Sequence, residues 1–324
     1  MYKRNHGIDL LKFIAALMIT NSHFIPLYQD HNISFATLGV HGNALFFFVS
    51  GFFLTNIKTT DGKFIRFDIW IRKKIIRLWP TIIVFFVFAN LLFSKEISWY
   101  DFLFAGHYWF VRCFIISFSI IYFILKYLNQ YSKHILVLSI IFSSFYIFIS
   151  PKVNGSIYHA FHYVCYFSSM MLGVNIGLYK DKIKTRNLLF DLTLCATSFI
   201  MYFIILSLGK GKSDNWYYIQ LFAVFPLLLF LFYSYKIVSY NWCSRIANFK
   251  IWSIVFIISS LTYEIYIVQF DIITDAFNKW YPLNTVIVFA IIVVIAYALR
   301  VFTNFFLLLF SSKDWNIKQI LSYK

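Results

Sequence analysis

Residues 284–311, NTVIVFAIIVVIAYALRVFTNFFLLLFS, are apolar along nearly their whole length and contain one charged residue, Arg300. An α-helix rises about 1.5 Å per residue, so roughly 20 apolar residues cross a hydrocarbon core about 30 Å thick. This stretch therefore predicts a transmembrane helix. Similar stretches recur from one end of the chain to the other.

Comparable apolar stretches lie at 8–28, 35–57, 78–94, 107–125, 135–151, 157–179, 187–208, 216–235, 251–272 and 284–311. The chain is 60% hydrophobic and 13% charged, whereas ordinary soluble domains are about 25% charged. The connecting segments are short and contain no low-complexity tract. We predict an all-α fold: a polytopic integral membrane helix bundle of about ten transmembrane helices, forming a single domain over 1–324.

Lysine and arginine are divided unequally between alternate connections. With the N-terminus inside, 21 of the 29 lie in cytoplasmic segments and five lie outside. Positive residues are retained on the cytoplasmic side, so both termini are predicted to be cytoplasmic. The net charge of +16 is then explained by the membrane topology and does not require a nucleic-acid partner. Membrane lipids with anionic head groups would suit the basic cytoplasmic side.

Two compositional features bear on location and cofactors. The bias toward Lys, Ile, Phe, Tyr and Asn is typical of AT-rich bacterial coding, so we expect a multi-pass protein of the bacterial cytoplasmic membrane. The four cysteines have no paired spacing, which argues against a disulfide framework or a zinc site. No metal is predicted.

The first apolar stretch carries Asp9, Lys12 and His23. At about 100° per residue, a helix brings all three side chains to one face. His23 lies about 22 Å from the start of the stretch, past the midplane from the cytoplasmic side. It is either a histidine at the outer interface or a general base, since an imidazole titrates near neutral pH.

The second stretch, LGVHGNALFFFVSGFFLTN (38–56), combines small and polar residues. Gly39, Gly42 and Gly51 allow helices to approach closely. Asn43 and Ser50 are seven positions apart and share a helix face. Packing alone can explain this pattern.

A basic segment, IRKKIIRLWP (71–80), precedes the third stretch. Lys74 and Arg77 lie three positions apart, on one side of a helix that enters the membrane just before Pro80. They either anchor the helix on the positive side of the membrane or clamp the phosphates of a nucleotide-bearing cofactor.

Two later segments place polar groups among apolar ones. GHYWFVRCF (106–114) contains Trp109, which fits an interfacial aromatic belt, and Arg112, which needs a partner inside a span. SSLTYEIYIVQFD (259–271) contains Tyr263, Glu264, Tyr266 and Gln269. Counted along a straight helix, Glu264 lies about 20 Å from the cytoplasmic start of its stretch, where an ion pair with a buried arginine such as Arg112 is an alternative to catalysis.

In this order, the segments resemble the acyltransferase 3 family of bacterial membrane O-acyltransferases. Lys12 and His23 match a basic residue followed eleven positions later by histidine, with lysine in place of the usual arginine. FFFVSGF (46–52), the Lys74, Arg77 and Pro80 motif, and Trp109–Phe110 follow in sequence. SSLTYEIYIVQ is similar to the last motif, with Gln269 where histidine often stands.

The resemblance implies transfer of an acyl group, most often acetyl, from cytoplasmic acetyl-CoA to a hydroxyl of a glycan or lipid-linked glycan. His23 and Glu264 are then the candidate catalytic residues, with Asn43 and Ser50 as other partners for the imidazole. Lys12, Lys74 and Arg77 are expected to bind acyl-CoA. The expected substrate-binding residues are Asn43, Ser50, Trp109, Arg112, Tyr263, Tyr266 and Gln269.

Three alternatives remain from the residues themselves. His23 could carry the acyl group as a covalent intermediate instead of acting as a base. The same buried charges could line the path of a transporter or flippase for a lipid-linked sugar or acyl carrier. The chain could also serve as a scaffold or sensor in a polysaccharide-synthesis complex, which is a possible partner of the enzyme as well.

Overall fold

The computed structural model describes residues 4–59, 61–93, 108–149, 161–185, 187–210, 214–310 and 320–322. Regular structure within these residues is helical, apart from an isolated antiparallel bridge between Lys58 and Phe64. The predicted all-α fold is confirmed. The predicted span ends at 94, 107, 150–151, 157–160 and 311 lie outside the described residues.

The α-helices are numbered here in chain order. They are α1 (His6–His23), α2 (Ile25–Tyr28), α3 (Gly39–Leu54), α4 (Phe67–Phe93), α5 (Trp109–Tyr127), α6 (Ser132–Ile149), α7 (Tyr166–Tyr179), α8 (Leu188–Gly209), α9 (Asp214–Tyr217), α10 (Val224–Val238), α11 (Asn241–Ile246), α12 (Trp252–Ser260), α13 (Thr262–Ile272) and α14 (Leu283–Leu309). Short 3-10 helices occupy Ile33–Phe35, Asn129–Tyr131, Lys180–Lys182, Tyr218–Ala223 and Asp275–Trp280, and a π-helical turn, Phe161–Cys165, leads into α7.

Several helices are long and apolar enough to cross a membrane. Within the described residues there are six, at Ile33–Leu54, Phe67–Leu91, Trp109–Tyr127, Leu188–Gly209, Tyr218–Val238 and Leu283–Leu309. The bent pair α12 and α13 makes a seventh if it is counted as one span. The protein is therefore a multi-pass membrane protein, while the count of about ten and the cytoplasmic termini remain predictions.

Two of the predicted stretches are not single straight helices. The first one, 8–28, breaks at Phe24 between α1 and α2. Pro26 has no backbone N–H to donate to the carbonyl one turn earlier, so the helical hydrogen bonding of α1 is not continued into α2. His23 is consequently the last residue of α1 and does not lie within a continuous span.

The stretch 251–272 bends by 77° between α12 and α13. Hydroxyl groups on both sides of Leu261 bond back to the chain: Ser260 Oγ donates to Ile257 O at 2.7 Å, and Thr262 Oγ1 donates to Ser259 O at 2.9 Å. Side chains of this kind satisfy carbonyls near a helix break. The bend therefore interrupts the straight helix from which the depth of Glu264 was expected, and that depth stays a prediction.

Two compact units make up the chain, and the first comprises Met1–Leu11, Asn43–Phe67 and Ile116–Lys250. Its α3 and α7 touch through their backbones, since a Cβ at Gly173 would overlap the carbonyl of Phe48 and one at Gly51 would overlap that of Met170. The predicted close approach at Gly51 is confirmed. Elsewhere in this unit, α8 packs along α10.

The second unit comprises Lys12–Gly42, Asp68–Ile115 and Ile251–Lys324. Here the start of α3 lies against α1, because a Cβ on Gly42 would stand 2.9 Å from Ala15 O, and one on Gly39 would crowd Ser22 Oγ. The predictions for Gly39 and Gly42 are confirmed. Helix α13 packs along α14 in the same unit.

Candidate active site

His23 ends α1 in the second unit, where its ring is half-buried. Its centroid lies 4.5 Å from that of Phe270, with an angle of 65° between the ring planes. Phe270 belongs to α13 and remains 45% exposed. The structure thus brings the predicted base next to the helix that carries Tyr263, Glu264, Tyr266 and Gln269.

The chain that follows His23 is anchored by Asn21. The Asn21 amide nitrogen donates to Phe35 O at 2.8 Å and to Thr37 O at 3.1 Å. Its carbonyl oxygen accepts a hydrogen bond from the Tyr28 hydroxyl at 2.8 Å. These three bonds hold the segment that follows α1 against the last turn of the helix, next to His23.

None of the predicted imidazole partners is seen bonded to His23. The imidazole makes no hydrogen bond within the part of the chain that the structure describes. Glu264 is engaged by an arginine, and Asn43 and Ser50 belong to the first unit, where both side chains are half-buried on α3. The carbonyl end of a helix favours positive charge, whereas burial of the His23 ring opposes it.

Two tyrosines that were predicted to bind substrate contact other parts of the second unit. The Tyr263 hydroxyl donates to Leu78 O at 2.9 Å, which ties the first turn of α13 to α4. The Tyr266 ring lies 4.3 Å from that of Phe110, and both side chains are buried. Tyr108 donates from its hydroxyl to Ile267 O at 3.3 Å. These contacts place α13 firmly beside α4 and α5.

Gln269 is fully buried, one residue before the phenylalanine that touches His23. Neither its amide nitrogen nor its amide oxygen has a hydrogen-bond partner among the described residues. A buried polar group left unpaired costs about 1–3 kcal/mol. The position therefore favours a ligand that can both donate and accept a hydrogen bond.

Glu264 forms an ion pair with Arg300 of α14, in which the Nε and Oε1 atoms are 2.6 Å apart. The carboxylate side chain is 2% exposed and the guanidinium 16%. An ion pair of Glu264 with an arginine was predicted, but the suggested partner, Arg112, was wrong. The sequence signal for Arg300 was its charge inside an apolar span, which requires a partner.

Lys74 and Arg77 lie one turn apart on α4, as predicted. Lys74 is half-buried, with its Nζ 5.3 Å from the centroid of the Trp70 ring, while Arg77 is accessible. The charge of Glu264 attracts the Arg77 guanidinium and that of Arg300 repels it. Arg77 therefore lies within electrostatic range of the buried ion pair, and the three side chains together carry one excess positive charge.

The remaining predicted residues are less well defined by their contacts. Lys12 is half-buried on α1 in the same unit as His23. Trp109 begins α5 with its ring 6.5 Å from Phe110, and Arg112 is half-buried one turn later. The structure does not show that Lys12, Trp109 or Arg112 contacts the His23 ring.

The acyltransferase 3 family model, which describes an acyltransferase domain, matches residues 5–301. The chain belongs to this family. The match includes His23, the basic pair on α4 and the broken helix with its glutamate, so this membrane acyltransferase carries its candidate site within the shared domain. No curated protein and no solved structure matches the chain.

None of the four cysteines of this acyltransferase 3 member forms a disulfide bond within the described residues. Within the described ranges, no group of three or more His, Cys, Asp or Glu side chains is placed to hold a metal ion. That the enzyme needs no metal stays a prediction.

Proposed function

We propose that this acyltransferase transfers an acetyl group from cytoplasmic acyl-CoA to a hydroxyl of a cell-surface or lipid-linked glycan, with His23 as the general base. The observation that carries the proposal is the position of His23 within the matched domain. His23 ends α1 and is half-buried. Its imidazole makes no hydrogen bond to any described residue, so its nitrogens are available to a substrate.

The acceptor step follows from elementary acid–base chemistry. A sugar hydroxyl is a weak nucleophile, and a base must lie about 3 Å from its proton. His23 accepts that proton while the oxygen attacks the thioester carbonyl. The carbon–sulfur bond then breaks, and the departing thiolate takes the proton back from the imidazolium. The exposed ring of Phe270, 4.5 Å from His23, suits the apolar face of a sugar.

The donor is assigned to the basic residues of α1 and α4. Coenzyme A carries phosphate groups, which ammonium and guanidinium side chains bind well. Arg77 is accessible, and Lys74 is one turn away. Lys12 joins them as a further donor-binding residue. Gln269, with an unpaired amide in the interior, is assigned to the acceptor or the acyl group.

The enzyme is proposed to act in the bacterial cytoplasmic membrane, in contact with membrane lipids and, in the cell, with a polysaccharide-synthesis complex. Its apolar helices support the membrane location. The family membership supports acyl transfer. The acetyl group, the coenzyme A donor and the glycan acceptor rest on the resemblance of the motifs.

A test in cells uses His23→Ala and a matched control, His31→Ala. His31 lies in the same unit, is exposed, and stacks on Tyr281 with ring centroids 4.0 Å apart. Glycan acetylation and membrane abundance are measured together. Loss of acetylation in His23→Ala alone, at normal abundance, is the expected result. Acetylation that persists in a normally inserted His23→Ala protein would contradict the proposal and favour a transporter or scaffold.

A further inference from the structure

Three charged side chains of the second unit form a cluster that contains more positive than negative charge. Glu264 pairs with Arg300 at 2.6 Å, and the charges of both residues act on Arg77. The hydrogen bond from Tyr263 to Leu78 O joins the chain next to Glu264 to the chain next to Arg77. One buried carboxylate is therefore paired with one guanidinium group and lies within electrostatic range of a second, from another helix.

Arg300 is the guanidinium that holds the carboxylate, and it is fixed at two points. Its Nε donates to Glu264 Oε1, and its Nη2 donates to Ser260 O at 3.1 Å, at the bend between α12 and α13. Arg77, in contrast, is accessible and has no hydrogen bond or ion pair among the described residues. The pairing leaves Arg77 available to another anion.

The carboxylate of Glu264 has capacity for a second cation. Its Oε2 is buried and accepts no hydrogen bond from any described residue. A buried carboxylate without a cation is unfavourable, so loss of Arg300 would drive Glu264 toward the other guanidinium of the cluster. In that arrangement Arg77 would be neutralised.

We propose that Arg300 is a positioning residue for the donor: by pairing with Glu264, it keeps Arg77 free to bind the phosphate groups of acyl-CoA. This inference rests on the proposed function, which assigns the donor to Arg77. Arg300 itself does not touch the donor. Its effect is indirect and depends on the presence of the Glu264 carboxylate, which separates it from a purely structural role.

The dependence on Glu264 can be tested with Arg300→Gln, Glu264→Gln and the double variant in purified protein. The probe is coenzyme A, whose affinity is measured by calorimetry beside the KM for acetyl-CoA. Arg300→Gln is expected to weaken coenzyme A binding by about tenfold or more, because Glu264 then competes for Arg77. The double variant is expected to recover most of this loss, because no carboxylate remains to compete.

Glu264→Gln is the matched control, since it breaks the same ion pair without releasing a carboxylate. Coenzyme A binding within about threefold of wild type in this variant supports positioning. Equal weakening in all three variants would show that the ion pair acts only in structure and would overturn the inference. Size-exclusion profiles and thermal unfolding establish that each variant is folded.

Arg77→Gln separates this inference from the proposed function. If wild-type protein binds coenzyme A and Arg77→Gln weakens that binding, the donor assignment stands and the Arg300 comparison decides the inference. If Arg77→Gln binds coenzyme A as wild type does, the donor assignment fails and the inference fails with it. Recovery in the double variant therefore supports the inference only when Arg77→Gln is defective.

Discussion

Arg300 Nε lies 2.6 Å from Glu264 Oε1, across two helices that pack together in the second unit. Removing one member of a buried ion pair leaves the other charge uncompensated, which costs about 3–5 kcal/mol. Removing both members costs less, since neither charge is left alone. We therefore predict that Glu264→Gln/Arg300→Gln unfolds at a higher temperature than Arg300→Gln.

The measurement for this pair is thermal unfolding in the same detergent, with both single variants and the double variant compared. Thr285→Ala on α14 is a control that leaves the pair intact, because this hydroxyl is near the other end of the helix and, within the described part of the chain, donates to Pro282 O alone. A double variant that unfolds at or below the temperature of Arg300→Gln, with a loss from wild type equal to the sum of the two single losses, would contradict this prediction.

Gly173→Ala is predicted to destabilise the first unit strongly. The added Cβ would overlap the carbonyl of Phe48, which is backbone and cannot move without shifting α3 or α7. Overpacking of this kind costs about 1–3 kcal/mol or more. Membrane abundance and unfolding temperature measure the effect.

Gly62→Ala provides the comparison for Gly173→Ala. Apart from its two chain neighbours, no described residue places an atom within 4 Å of its Cβ position, but its φ of +75° disfavours a side chain. We expect a loss of about 1 kcal/mol from backbone strain alone. A larger loss at Gly62 than at Gly173 would show that α3 and α7 do not touch as described.

Gln269→Leu is predicted to separate stability from activity. The buried amide has no hydrogen-bond partner among the described residues, so replacing it with an apolar group removes a cost of about 1–3 kcal/mol. The unfolding temperature should therefore rise or stay unchanged. If the amide binds a ligand during the reaction, transfer should fall in the same variant. An unchanged transfer rate would show that the Gln269 amide does not bind the acceptor or the acyl group.

Asn21→Ala is predicted to lower kcat while leaving coenzyme A binding unchanged. The substitution removes the hydrogen bonds to Phe35 O, Thr37 O and the Tyr28 hydroxyl that hold the loop beside His23. A small misplacement of a catalytic group can reduce the rate by about 100-fold. Steady-state kinetics at saturating donor measures this, and a change confined to the donor KM would contradict it.

The helical fold could be predicted from the sequence because long apolar runs admit few other structures in a membrane. The glycines near α1 and α7 could also be interpreted, since small residues mark close helix contacts. The broken helix at Leu261 could not, because hydroxyl side chains are compatible with both a straight and a bent helix. Glu264 lies just beyond this bend, and its partner is Arg300.

The sequence identified several residues of the candidate site but not the residues that they contact. His23 and the Lys74–Arg77 pair stand out because polar groups in apolar runs are few. Arg300 stood out by the same measure, but linear spacing gives no information about which helix faces another. Tyr263 was predicted to bind substrate, and its hydroxyl donates to Leu78 O, a contact that spacing alone could not show.

The most direct test of His23 as the general base is acetyl transfer by purified His23→Gln protein, beside coenzyme A affinity measured on the same sample. Glutamine retains a polar side chain but cannot accept the hydroxyl proton. We predict that transfer at saturating acetyl-CoA falls by about 100-fold to 10,000-fold, while coenzyme A affinity stays within about twofold of wild type. Transfer at the wild-type rate by a protein that binds coenzyme A normally would contradict a catalytic role for His23.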